Sequence, residues 1–229
     1  MKATSVSQDS LDHYARLGLW ALPVYGLANF IGTLSSQPDY KKDFPGYARY
    51  ISTSPFLASH LAASIFGAGI GILGFTALFV YLARGSDRPA IALAAFVMTI
   101  VGNMGLVALF GVAAFAQRAI GKAYLAGHHD VVGVNSTVYG TPLFVTAGVA
   151  LVLFCVGVIF FAIAISGAES LPRLAGVLLA VAVPVFAIGS LLGGPIGPIG
   201  ALLEIGSTIW IARSASAAAR PIDTAAASP

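Results

Sequence analysis

Glu204 is an isolated carboxylate in an otherwise uncharged apolar stretch, six residues after Pro198 and nine before Arg213. On a helix rising ~1.5 Å per residue, it lies roughly 13 Å from the arginine, near the middle of a bilayer core about 30 Å thick. An ionised carboxylate there is costly, so the group must be protonated, paired or turned toward water. The chemistry open to it is proton coupling, cation binding or acid catalysis. Ser207 and Thr208 follow one turn later and add hydroxyls at helical spacing. Counting depth from Pro89 makes Asn103 the expected partner of Glu204, with interhelical glue as its simpler role.

His60 lies four residues into the second apolar stretch, counted from Phe56, and His128, His129 and Asp130 cluster on the same expected side. Imidazole with carboxylate is a donor set for zinc, copper or iron. The spacing fits no standard metal motif, so a metal site is not expected, and these four residues are the candidates if one exists. A haem held by two buried histidines is disfavoured, because only His60 falls inside a span. No residue pattern names a cofactor. Walker A, GxSxG, HExxH and CxxC patterns are absent from the sequence, as is a lysine within a span.

The elements that must position these residues are apolar runs joined by short charged turns. Of 229 residues, 58% are hydrophobic and 9% charged, with mean hydropathy +0.89. Soluble domains carry about 25% charged residues, and a crossing helix needs roughly 20 apolar ones. The fold class expected is all-α, a polytopic integral membrane bundle of about six transmembrane helices near 17–34, 56–83, 89–117, 142–166, 172–192 and 195–212. Three parts follow: a cytoplasmic N-terminal segment at 1–16, a six-helix domain at 17–212, and a disordered cytoplasmic tail at 213–229. Long outer loops at 35–55 and 118–141 interrupt the domain. The first span is expected to be retained, since acidic Asp9 and Asp12 spoil a signal-peptide n-region.

Lys2, Arg16, Arg84, Arg88, Arg173, Arg213 and Arg220 fall on one side of a six-span topology, and Lys41, Lys42, Arg49, Arg118 and Lys122 on the other. The positive-inside rule then makes both termini cytoplasmic. With net charge +3 but no basic cluster, nucleic acid is excluded as a partner. The bilayer is the expected partner, together with a small hydrophobic molecule or ion. Cys155 is the lone cysteine and permits no internal disulfide.

Gly67 and Gly71, and Gly189 and Gly193, have GxxxG spacing, and Gly102 and Gly105 line one side of the third span. Such faces bring helices together within the chain or in a homo- or hetero-oligomer. Gly74 and Gly157 each precede a hairpin proline, Pro89 or Pro172, by fifteen residues, an echo that suggests parallel repeats. Asn135-Ser136-Thr137 is a glycosylation sequon. The aromatic and charged residues between Tyr40 and Tyr50 suit a membrane interface or a lid over an outward vestibule. The Ala-, Gly- and Val-rich style resembles that of small bacterial membrane proteins, which points to a bacterial plasma membrane and to no particular family.

Three functions fit these residues. The first is binding or transport of a small molecule or ion at Glu204, with Asn103, Ser207, Thr208 and His60 as further lining. The second is an integral-membrane enzyme acting on a lipid or isoprenoid, with Glu204 as acid and His60 as base. The third is an accessory subunit or scaffold.

Overall fold

Pro23 decides how the chain starts. Proline lacks an N–H and clashes with the carbonyl four residues back, here that of Leu19. The helix that begins at Gln8 therefore breaks, and Leu22 N donates to Leu19 O at 3.1 Å in a tighter turn. The result is two helices, α1 (Gln8–Gly18) and α2 (Ala21–Gly32), where one span was expected. The computed structural model describes residues 8–34 and 37–218. The expected segment at 1–16 is described only from residue 8, where it is already helical. The expected tail at 213–229 is helical as far as Ala217, and its residues 219–229 lie outside the described residues.

Every described secondary-structure element is helical. The segments expected as loops carry α3 (Phe44–Ile51), α7 (Arg118–Leu125) and α8 (Val131–Val138). Between them stand two long rods. One joins α4 (Ser54–Ser59), a π segment at His60–Phe66 and α5 (Gly67–Gly85). The other joins α6 (Pro89–Gly111), a π segment at Val112–Gln117 and α7. The chain closes with α9 (Thr141–Ile165), α10 (Arg173–Leu192) and α11 (Ile196–Ala217). Among the described residues, four stretches are long and apolar enough to cross a membrane: Ser54–Gly85, Pro89–Leu125, Val131–Ile165 and Arg173–Leu192. The expected first and sixth spans are not among them, because α2 has only 12 residues and α11 carries Glu204 and several hydroxyl residues.

Packing follows chain order around a ring. From α5, each long helix touches the next through α6, α9, α10 and α11, and α11 returns to α2, which packs on α5. Small residues set the approach. A Cβ at Gly102 would lie 2.5 Å from Phe154 N, and one at Gly105 2.6 Å from Ala150 Cβ, so α6 and α9 pack almost backbone to backbone. Gly189 faces Ile196 and Gly197 in the same way across the last hairpin. The two glycines of the sequence echo do parallel work: Gly74 lies against Leu22 and Gly157 against Thr99, each on the helix preceding its own around the ring.

The pair α1–α2 runs against α5 on one antiparallel register despite its break. Asp12 pairs with Arg84 at 2.8 Å. Gly18 then meets Ala77, Gly74 meets Leu22, Gly71 meets Tyr25, Gly67 meets Ala28 and Gly32 meets Ala63. Within the ring, Phe75 stacks on Phe161 at 5.7 Å and meets Tyr25 and Phe154 edge-on at 6.2 and 5.8 Å. At the end near the termini, the two hairpin turns lock together: Asp87 N donates to Gly167 O, and Ser86 Oγ to Ala164 O at 2.7 Å.

Candidate functional site

Glu204 occupies the face of α11 that packs on α2, and only 1% of it is exposed. Its helix partner is not Asn103 but Asn29, whose Nδ2 donates to Glu204 Oε2 at 3.0 Å. The two helices come close here because α2 offers a glycine: a Cβ at Gly26 would lie 3.0 Å from Ile205 Cγ1 and 3.5 Å from Glu204 Cγ. Tyr25, one turn before Asn29 on α2, lies close enough to the carboxylate for the two to interact electrostatically. No salt bridge reaches Glu204 among the described residues. The site is thus a buried carboxyl, one amide donor and a phenol, with no basic side chain paired to it.

Ser207 and Thr208 are buried beside it but point back along their own helix. Their hydroxyls donate to the backbone oxygen of Glu204 at 2.9 and 2.7 Å. Hydroxyls in an apolar helix commonly satisfy themselves this way. They thicken the polar density around Glu204 without touching its carboxylate.

Asn103 is on α6, whose neighbours are α5 and α9, and its Nδ2 donates to Ala68 O at 3.1 Å. It ties α6 to α5. Depth counting paired it with Glu204 because depth says nothing about position around the ring. Its Oδ1 and the Thr99 hydroxyl one turn earlier are buried without a hydrogen-bond partner.

His60 sits at the start of a π segment. Its Nδ1 lies 3.0 Å from Phe56 O, and its ring lies 4.1 Å from the Phe56 ring. Nothing joins it to Glu204, so the acid and base of the enzymatic reading are not brought together. His129 leans edge-on against Tyr124, and His128 and Asp130 are exposed. Among the described residues, no three His, Cys, Asp or Glu side chains gather as metal ligands would.

The sequence reading passed over Tyr25 and Asn29 as pairing residues. The signal was present: they are the polar-tipped residues of an apolar span, four apart, and so on one helix face. It also passed over a buried knot at the other end of the molecule. Tyr47 OH donates to Asn135 Oδ1 at 3.4 Å, with both side chains fully buried. Burial first, and Tyr40 second, push the Tyr47 hydroxyl above its ordinary pKa, so it stays neutral and a donor. Asn135, the sequon asparagine, is enclosed in the folded chain.

Hollows indent the surface formed by the described residues, and two are of note. One, about 470 Å³, is lined by Trp20, Arg213, Ser214, Ser216 and Ala217; the other, about 260 Å³, by Leu57, Ala114, Phe115, Arg118, Ala119 and Lys122. Neither includes Glu204. Comparison with protein-family models, curated proteins and solved structures gives no match for this chain.

Proposed function

We propose that this is a six-crossing membrane protein that binds or transports a small molecule or ion, best a proton or small cation, at Glu204. Four crossings rest on the long apolar helices. A fifth is the composite α1–α2, whose unbroken register along α5 supports reading the two short helices as one path. From Asp12, level with Arg84 at the charged joint, to Gly32 the path covers twenty residues, roughly 30 Å of helix, against a hydrocarbon core of about 30 Å. The sixth is α11, whose 22 residues reach roughly 33 Å. Closure of the ring by α11 on α2 supports membership of both in one spanning layer. Six crossings put the two termini on one side, and the excess of arginines there supports a cytoplasmic placement.

One observation carries the functional reading. A carboxylate 1% exposed, with a single amide donor and no salt bridge among the described residues, has its charge uncompensated by them. In an apolar wall that charge is tolerated only with a proton or a cation beside it. Glu204 is therefore an ion-exchanging group, with Asn29 fixing one oxygen and leaving the other to the ion.

The test is proton or monovalent-cation flux in reconstituted vesicles, comparing the wild type with Glu204→Gln between pH 5 and 8. Glutamine retains an oxygen for Asn29, so the fold survives while exchange falls to the level of empty vesicles. Equal flux, or equal cation binding, across that pH range would sink the reading. The scaffold alternative gains little from the paired small residues, since Gly67, Gly71, Gly102, Gly105 and Gly189 already pack against neighbouring helices within the chain.

A further inference from the structure

The smaller hollow lies where the rod from Pro89 leaves the apolar layer, and it is graded in polarity. Leu57, Ala114 and Phe115 line one part, with Phe115 61% exposed, and Arg118 and Lys122 another. We propose that it seats the headgroup phosphate of an anionic phospholipid, in the leaflet opposite the chain termini. This rests on the membrane-spanning reading above, though not on any role for Glu204.

Depth is the first support. Arg88 starts the rod at the terminal side, and Arg118 follows thirty residues later. At ~1.5 Å per residue that is roughly 45 Å, the thickness of a bilayer with both headgroup layers, about 40–45 Å. With Arg88 at one phosphate layer, Arg118 falls at the other. Phe115, about one turn earlier and exposed, falls among acyl chains.

Charge is the second. Arg118 and Lys122 are one helical turn apart and share a face, and neither makes a salt bridge among the described residues. Arg118 Nε is moreover buried without any hydrogen-bond acceptor. Arg118 as a whole is only half-buried, and the guanidinium of arginine is suited to charge-assisted bonds with phosphate oxygens. Lys122 is exposed and supplies a second charge one turn further out. The apolar residues beside them suit the chains of the same lipid, which free phosphate lacks.

The test is native mass spectrometry of the full chain extracted from vesicles holding equal phosphatidylglycerol and phosphatidylcholine of matched chains. The wild type should retain phosphatidylglycerol preferentially. Arg118→Gln with Lys122→Gln should lower that preference roughly 25-fold, about fivefold per cation. Leu57→Trp should lower retention by filling the acyl part with the charges intact, while Lys41→Gln with Lys42→Gln should change nothing. An undiminished preference in the double glutamine variant would overturn the proposal. So would protein that binds inorganic phosphate alone as well as it binds phosphatidylglycerol. Resistance of the protein to carbonate extraction, measured on the same membranes, reports the spanning reading separately.

Discussion

Gly71→Ala is the sharpest probe of how α2 is held beside Glu204. A methyl group there would lie 2.9–3.0 Å from Cγ, Cδ1 and Cδ2 of Tyr25, against 3.4 Å or more for ordinary contact. The ring must retreat by roughly half an ångström, but it is 5% exposed and meets Phe75 and Phe154 edge-on at 6.2 and 6.4 Å. It has nowhere to turn, so α2 itself must move away from α5. Overpacking of this kind costs typically about 1–3 kcal/mol, and for a chain of this size each kcal/mol shifts the melting midpoint by roughly 2–4 °C. Asn29, one turn beyond Tyr25 on the same face, is carried with it, so ion flux should fall together with stability. Gly69→Ala is the control, since nothing lies within 4 Å of its added Cβ on the same helix. Thermal unfolding in mild detergent, followed by the fluorescence of Trp20 and Trp210, compares the two. Gly69→Ala should match the wild type or exceed it slightly, because alanine is the better helix former. Tyr25→Leu should relieve part of the Gly71→Ala defect, giving a coupling energy that independent sites would not show. If Gly71→Ala melts with Gly69→Ala, the packing of α2 on α5 is refuted, and with it the fifth crossing.

Two further outcomes follow. Asn103→Leu removes one interhelical hydrogen bond together with a buried oxygen that has no partner; the two effects oppose, so stability should change by less than about 1 kcal/mol. Flux should be unchanged, whereas a tenfold loss would make Asn103 part of the ion path. Gly32→Cys with Ala63→Cys, in a Cys155→Ser background, should form a disulfide under mild oxidation, because the two Cβ positions lie 3.8 Å apart, close to the mean for such bonds. Failure to cross-link in protein that still carries flux would overturn the antiparallel register of α1–α2 along α5.

The lone carboxylate and the four long apolar helices were legible in the residues because both are properties of one segment at a time. A helix too apolar for water declares itself by composition, and a charge within it stands out by contrast. What surrounds Glu204 was not legible, because a partner is fixed by angle around the bundle, and hairpin counting yields only depth. Asn103 and Asn29 are both amides in apolar spans; which one reaches Glu204 depends on whether α11 closes the ring against α2 or packs on α6. That choice is made by glycines. Gly26 admits α11 to α2, while Gly102 and Gly105 commit α6 to α9. A glycine in a membrane helix states that some backbone comes close without saying whose. Pro23 blurred the expected first span in a similar way. Apolarity marked a span at 17–34, but the helix breaks at Leu19 and Trp20, and the path along α5 begins earlier, near Asp12, where the ion pair with Arg84 anchors it. The two terminal helices are thus the least regular by sequence, yet Glu204 and Asn29 meet where they close the ring. A polar pair at a seam between chain ends joins the segments most distant in sequence, 175 residues apart, and local pattern carries least information about such a pair.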